Sequence, residues 1–271
     1  KNNIFKLTKH TNIVEIPNLI DIKENSYGYN PKEEYLLFIG RFHAVKGIEL
    51  LIEAFEKIDN KKIKLFLAGF KNEYCISILE LINKKGLNDR ILYYGEVVGL
   101  EKDILFSNAK AFVSPSYSEV IGMVNLEAAS FKTPVVTTFN TGLSTQWSKN
   151  GGFLINPCLE ELVSALNIVS NMSINERIDR GNNLYNFVLE KIDTTLQKAD
   201  IFIKDLSADT SLLKDINLKL WAIEDGKRLA EKKKNCFWYS SFKLWVTNTT
   251  WFIVNWNPRN RKIINVKSNC D

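Results

Sequence analysis

The chain has 271 residues, enough for one large domain or a domain with an extension. With 45% apolar and 25% charged residues it has the composition of a globular chain with a real core, and its apolar runs are too short to span a bilayer. The net charge of +5 is uneven: residues 227–271 hold ten Lys/Arg against two acids, which leaves −3 on the first 226 residues, so the basic character belongs to the C-terminal extension.

In chain order, Asn12-Ile13-Val14-Glu15-Ile16-Pro17-Asn18 reads as a short strand ending at a proline turn, and 26–34 as a polar connection. Leu36-Leu37-Phe38-Ile39 is a buried-strand run that ends at Gly40. Apolar residues at Ile48, Leu51, Ile52, Phe55 and Ile58 predict a helix over 46–58. Strands follow at 64–69, 91–95, 109–114, 134–138 and 152–155, with helices between them over 73–85 and 100–107 and another opening at Gly122. Helical patterns then run over 159–170, 174–190 and 193–205. Strands alternating with helices imply a Rossmann-like parallel sheet with helices on both faces, in an α/β domain over 1–205. Such a sheet binds its ligands beyond the C-terminal strand ends. No GxGxxG follows the first strand and no Walker A sequence occurs.

Two constellations could carry chemistry. In Gly40-Arg41-Phe42-His43-Ala44-Val45-Lys46-Gly47, between the first strand and its helix, Arg41 offers a planar fork of donors and Lys46 a flexible point charge. Together they suit a diphosphate, against the plainer reading of a solvated loop. The second is Glu119-Val120-Ile121-Gly122-Met123-Val124-Asn125-Leu126-Glu127. Gly122, Met123 and Val124 open a helix, whose first N–H groups make a local anion site. Glu119 stands just ahead and Glu127 about one turn in, both good acceptors for sugar hydroxyls. Acids near a helix start are also favoured by its dipole alone.

The four cysteines, Cys75, Cys158, Cys236 and Cys270, never stand at CxxC spacing, which suits a reducing compartment and supports no zinc or redox motif. Two histidines, His10 and His43, argue against a histidine metal site or a Ser-His-Asp triad. Lys1 rather than Met opens the chain with no hydrophobic leader, so the sequence reads as a piece whose start has been removed.

With these motifs the chain resembles the C-terminal, donor-binding half of family 4 retaining glycosyltransferases of the GT-B fold. The resemblance rests on Ile16-Pro17-Asn18, Gly40-Arg41 with Lys46-Gly47, Leu67-Ala68-Gly69, Tyr94-Gly95-Glu96-Val97, Ser114-Pro115-Ser116 running into Glu119 and Glu127, Pro134-Val135-Val136 and Gly152-Phe153-Leu154-Ile155. It covers residues 12–205. It implies that Arg41 and Lys46 hold the diphosphate of a UDP- or GDP-sugar, with Gly40 at the same loop. Glu119 would contact the transferred sugar, and backbone at Gly122, Met123 and Val124 would touch sugar and phosphate. Glu127 would bind the ribose, and backbone at Gly95 and Val97 the base. It further implies metal-independent transfer to a glycan or lipid-linked acceptor, with an N-terminal GT-B domain or partner chain supplying the acceptor side. No DxD motif is present. The chain departs from the family at Val120, where glycine is usual, and at Thr141-Gly142-Leu143, where a glutamate is usual. A non-catalytic nucleotide-sugar-binding or scaffolding subunit is the alternative reading.

The extension, 206–271, lies outside the resemblance. Lys214 to Lys234 reads as a basic helix, and 237–256 is rich in Trp and Phe. Basic residues beside Trp suit an anionic membrane surface, with Trp238, Phe242 and Trp245 on one helical face, at the cytoplasmic side of the membrane. A packed strand pair is the competing reading, and nucleic acid is not an expected partner.

Overall fold

The computed structural model describes residues 29–119 and 122–192 in full, and the backbone of 193–208, 241–246 and 251–256. The expected strand at 12–18, the helix at 214–234, Val120, Trp238, Cys236 and Cys270 lie outside these residues. The described residues up to Lys191 form one compact unit, and the strands at 241–256 belong to a second.

Six strands, β1 (Tyr35–Ile39), β2 (Lys64–Ala68), β3 (Ile91–Gly95), β4 (Ala111–Ser114), β5 (Val135–Thr138) and β6 (Phe153–Ile155), form one sheet in the order β3-β2-β1-β4-β5-β6. Every pairing is parallel, with Leu36 opposite Leu65 on one side and Ala111 on the other. β1, β4 and β5 are buried along their whole length, as expected for strands covered on both faces. The order reverses between β1 and β4. In such a sheet the connections that leave the C-terminal ends of the two strands run to opposite faces, and the crevice between them is the usual ligand position.

The helices are α1 (Ile48–Lys57), α2 (Glu73–Lys84), α3 (Gly99–Asn108), α4 (Met123–Ser130), α5 (Leu159–Asn171) and α6 (Ile174–Ala208). Leu51, Ile52 and Phe55 of α1 share a core with Ile78 and Ile82 of α2 and Leu162, Leu166 and Val169 of α5. Tyr35 stacks on Phe66 at 4.0 Å, and Phe106 meets Phe112 edge-on.

Three expectations change. Residues 46–58 do not start as α-helix: Ala44–Lys46 is a 3-10 turn, and α1 begins after Gly47, whose φ of 67° breaks the path. The two helices expected at 174–190 and 193–205 are one helix, α6, because no proline or glycine separates them. At the C-terminal end, β7 (Ser241–Val246) and β8 (Trp251–Trp256) pair antiparallel, with Trp245 opposite Phe252. Phe242 and Trp245 thus lie on strand backbone and form no helical face. Aromatic and β-branched residues favour a paired strand over a helix.

Candidate functional site

The loop after β1 is built by its own caps. His43 Nδ1 accepts from the Val45 N–H at 3.2 Å, and Gly47 N–H donates to Ala44 O at 3.1 Å. Tyr117 N–H donates to Val45 O at 2.8 Å, which docks this loop on the one after β4. Only glycine fits at 47: a Cβ there would stand 2.3 Å from Pro115 O.

The loop after β4 is held from the other side. Glu119 N–H donates to Asn140 O at 2.9 Å, and Gly122 N–H to Thr141 O at 3.1 Å. Gly122 is the N-cap of α4. Its amide is therefore already used, and the anion-binding donors at this helix start reduce to Met123 and Val124, whose N–H groups have no acceptor among the described residues.

Between the two loops lies a pocket of about 220 Å³, lined by Phe38, Ile39, Lys46, Ser114, Glu119, Gly122, Met123, Val124 and Asn125. It sits at the β1/β4 switch point. Lys46 Nζ forms an ion pair with Glu119 Oε1, and both side chains are only 18% exposed. Ser116 Oγ donates to the same carboxylate oxygen at 3.1 Å and lies 3.3 Å from Ser114 Oγ. The ammonium has three donors, so the pair leaves it free valences toward the pocket.

The fold thus brings together Lys46, Glu119, Gly122, Met123 and Val124. The other anticipated positions do not line this pocket. Arg41 is exposed and has no ion pair or hydrogen bond among the described residues. Gly40 N–H donates to Ala68 O at 3.0 Å. Gly95, at φ 76°, ends β3, and its carbonyl accepts from Gly69 N–H at 2.7 Å. Val97 is buried just beyond. Glu127 is on α4, one turn past the pocket, and pairs with Lys102 of α3 at 2.6 Å. Sequence reasoning gave no role to Ser114, Ser116 and Asn125, although all three stand in the motifs it quoted, and it did not single out Lys102. Asn125 had a signal: it falls in register with Ala128 and Ala129 on the buried stripe of α4. Among the described residues no group of three His, Cys, Asp or Glu could hold a metal ion, and no helix is long and apolar enough to cross a membrane.

The sequence profile of the glycosyl transferases group 1 matches residues 20–187. An uncharacterized glycosyltransferase of Methanocaldococcus jannaschii is 35% identical over 119 residues, 44% of this chain and 30% of that protein. The O-antigen chain mannosyltransferase of Salmonella typhimurium is 29% identical over 126 residues, 46% of this chain and 35% of that protein. The chain thus spans about a third of the length of these curated relatives. Among solved structures, the sucrose-phosphate synthase of Thermosynechococcus elongatus is similar at TM-score 0.56 and 26% identity, over 66% of this chain and 47% of that one. S. aureus TarM, solved with UDP, is similar in fold at TM-score 0.63 and 22% identity, over 73% of this chain and 40% of that one.

Proposed function

Because the chain belongs to the glycosyl transferases group 1 family, we propose that it is the donor-binding half of a family 4, retaining glycosyltransferase. Its donor is a UDP- or GDP-sugar and its acceptor a glycan or a lipid-linked saccharide. The observation that carries this reading is the Lys46–Glu119 pair beside the amides of Met123 and Val124, which have no acceptor among the described residues, at the sheet's switch point. The pocket is smaller than the roughly 300–1,000 Å³ of sites that enclose a whole ligand, so it takes the sugar and the adjoining phosphate only. Mannose transfer by the Salmonella relative and UDP beside TarM agree with that chemistry.

In this reading Lys46 and Arg41 hold the diphosphate, and Met123 and Val124 donate to its oxygens. That fixed positive field stabilises the departing nucleotide diphosphate while charge develops at the sugar carbon, so transfer runs without a divalent cation. Glu119 faces the sugar, Glu127 takes the ribose hydroxyls, and backbone at Gly40, Gly95 and Val97 completes the nucleotide side. An N-terminal domain or partner chain supplies the acceptor site. The donor domain runs to about residue 205, and the basic extension meets anionic lipid at the cytoplasmic membrane face.

Calorimetric titration of UDP and GDP into the 271-residue chain tests the donor site. One of them binds, and Lys46→Ala weakens it about 10-fold or more, since a charge-assisted hydrogen bond is lost and Glu119 is left as an unpaired anion facing the phosphates. Binding of neither diphosphate removes the reading.

A further inference from the structure

We propose that Asn125 reads a hydroxyl group of the donor sugar, and so is a specificity-determining residue within the Glu119–Glu127 segment, at a position to which the resemblance assigns no role. The inference rests on the donor-site reading above and deepens it.

Asn125 is the third residue of α4 and only 1% exposed, yet it lines the pocket. Its N–H donates to Gly122 O at 2.9 Å, but its side-chain Oδ1 has no hydrogen-bond partner among the described residues. Buried polar atoms are paired in the great majority of folded proteins, because an unmet acceptor forfeits its hydration for nothing. The position makes the choice more pointed. Asn125 shares the buried stripe of α4 with Ala128 and Ala129, both fully buried, where an apolar side chain would pack without any such cost. Its amide nitrogen lies against Gly122, where a Cβ would stand 2.3 Å away, so glycine at 122 leaves the room this amide occupies.

The polar groups on the opposite wall do not answer it. Ser114, Ser116, Glu119 and Lys46 form a chain of contacts through the Glu119 carboxylate, and none of them donates to Asn125 Oδ1. No described side chain or backbone group donates to Oδ1, and in this proposal the ligand brings the donor. A phosphate oxygen is itself an acceptor and would be repelled by Oδ1. The phosphates belong with Lys46 and the amides of Met123 and Val124. The part of a nucleotide sugar that carries O–H donors into a pocket of about 220 Å³ is the hexose. Asn125 therefore divides the pocket: donors for the phosphate, an acceptor for a sugar hydroxyl.

The test is a ratio, the affinity for a nucleotide sugar over that for its bare diphosphate, measured by calorimetry on the 271-residue chain. UDP is compared with UDP-glucose and UDP-N-acetylglucosamine, and GDP with GDP-mannose. Asn125→Ala lowers the ratio about fivefold, the worth of one hydrogen bond, and leaves diphosphate affinity within about twofold. Its melting temperature does not fall, because the substitution removes an orphaned acceptor. Asn125→Asp keeps the acceptor, so it keeps the ratio while its charge weakens both ligands together. An unchanged ratio in Asn125→Ala overturns the inference. So does a loss of the ratio in Asn125→Asp, or an equal loss for diphosphate and sugar with a lowered melting temperature, which marks a structural role. Each of these leaves the donor site standing if the wild-type chain binds a diphosphate. A wild-type chain that binds neither diphosphate removes both readings.

Discussion

Tyr74 carries a titration that the fold makes consequential. It lies on α2, and burial, then the charge of Glu49 and a hydrogen bond to it, raise its pKa from 10.0 to about 12. Tyr93 is raised to about 12 as well, chiefly by burial. A phenol with a raised value favours the neutral, folded state, so its contribution is complete below pH 10.0 and is lost as pH rises through about 12. Stability should therefore fall across that window, and Tyr74→Phe should flatten the fall without abolishing it; urea unfolding at a series of alkaline pH values measures both slopes. An equal slope in the variant would refute the assignment. At this scale the sequence was legible where residue type alone carries chemistry. Lys46, Glu119 and Gly122 stand out because charges and glycines around a turn have few other reasons to recur. Lys102 was not legible as a partner of Glu127, since it is 25 residues away on another helix and only the packing of α3 beside α4 joins them.

At the scale of elements, the strands were the easiest to read. A strand covered on both faces is a continuous apolar run, as at Leu36 to Ile39 and Ala111 to Val113. The start of α1 and the continuity of α6 were misread because periodicity does not register a left-handed residue such as Gly47, nor the absence of a stop signal. α6 also depends on a glycine that periodicity alone treats as a weakness. Gly181 lies where a Cβ would stand 1.9 Å from Lys132 O, and one residue earlier the Arg180 carbonyl oxygen lies 2.3 Å from a Cβ at Gly151. The helix is thus wedged by bare backbone between the turn after α4 and the turn before β6. Alanine at 181 gains about 1 kcal/mol of helix propensity. Overpacking against rigid backbone costs about 1–3 kcal/mol. The second term wins, so Gly181→Ala lowers the melting temperature, by roughly 2–4 °C per net kcal/mol for a unit this size. A calorimetric scan that finds the variant as stable as the parent would refute the wedge.

Across the whole molecule the charges are separated. Residues 227–271 carry ten Lys/Arg against two acids, while the rest of the chain is mildly acidic. The chain should sediment with anionic vesicles at low salt and be released as salt shortens the screening length to about 10 Å at 0.1 M. A chain ending at residue 226 should stay in the supernatant, and its co-sedimentation would sink the membrane proposal. The chain's sheet was foreseeable because local patterns and global topology agree; the strand pair at 241–256 was only one of two readings, because aromatic residues suit either structure. The loop after β4, finally, hangs on the end of β5 and the turn beyond it through main chain and side chain together: the Asn140 and Thr141 carbonyls accept from Glu119 and Gly122 N–H, while Asn140 Nδ2 donates to Tyr117 O at 3.0 Å and Thr138 Oγ1 to Ser116 O at 2.6 Å. Main-chain bonds are blind to the side chains of the residues that make them, but the other two need an amide at 140 and a hydroxyl at 138. Residues 142–146, which include no glutamate, make none of these four bonds and can drift in sequence while Glu119 keeps its height above the sheet. Evolution can retune that rim, or an engineer can graft a new one, provided Thr138 and Asn140 stay.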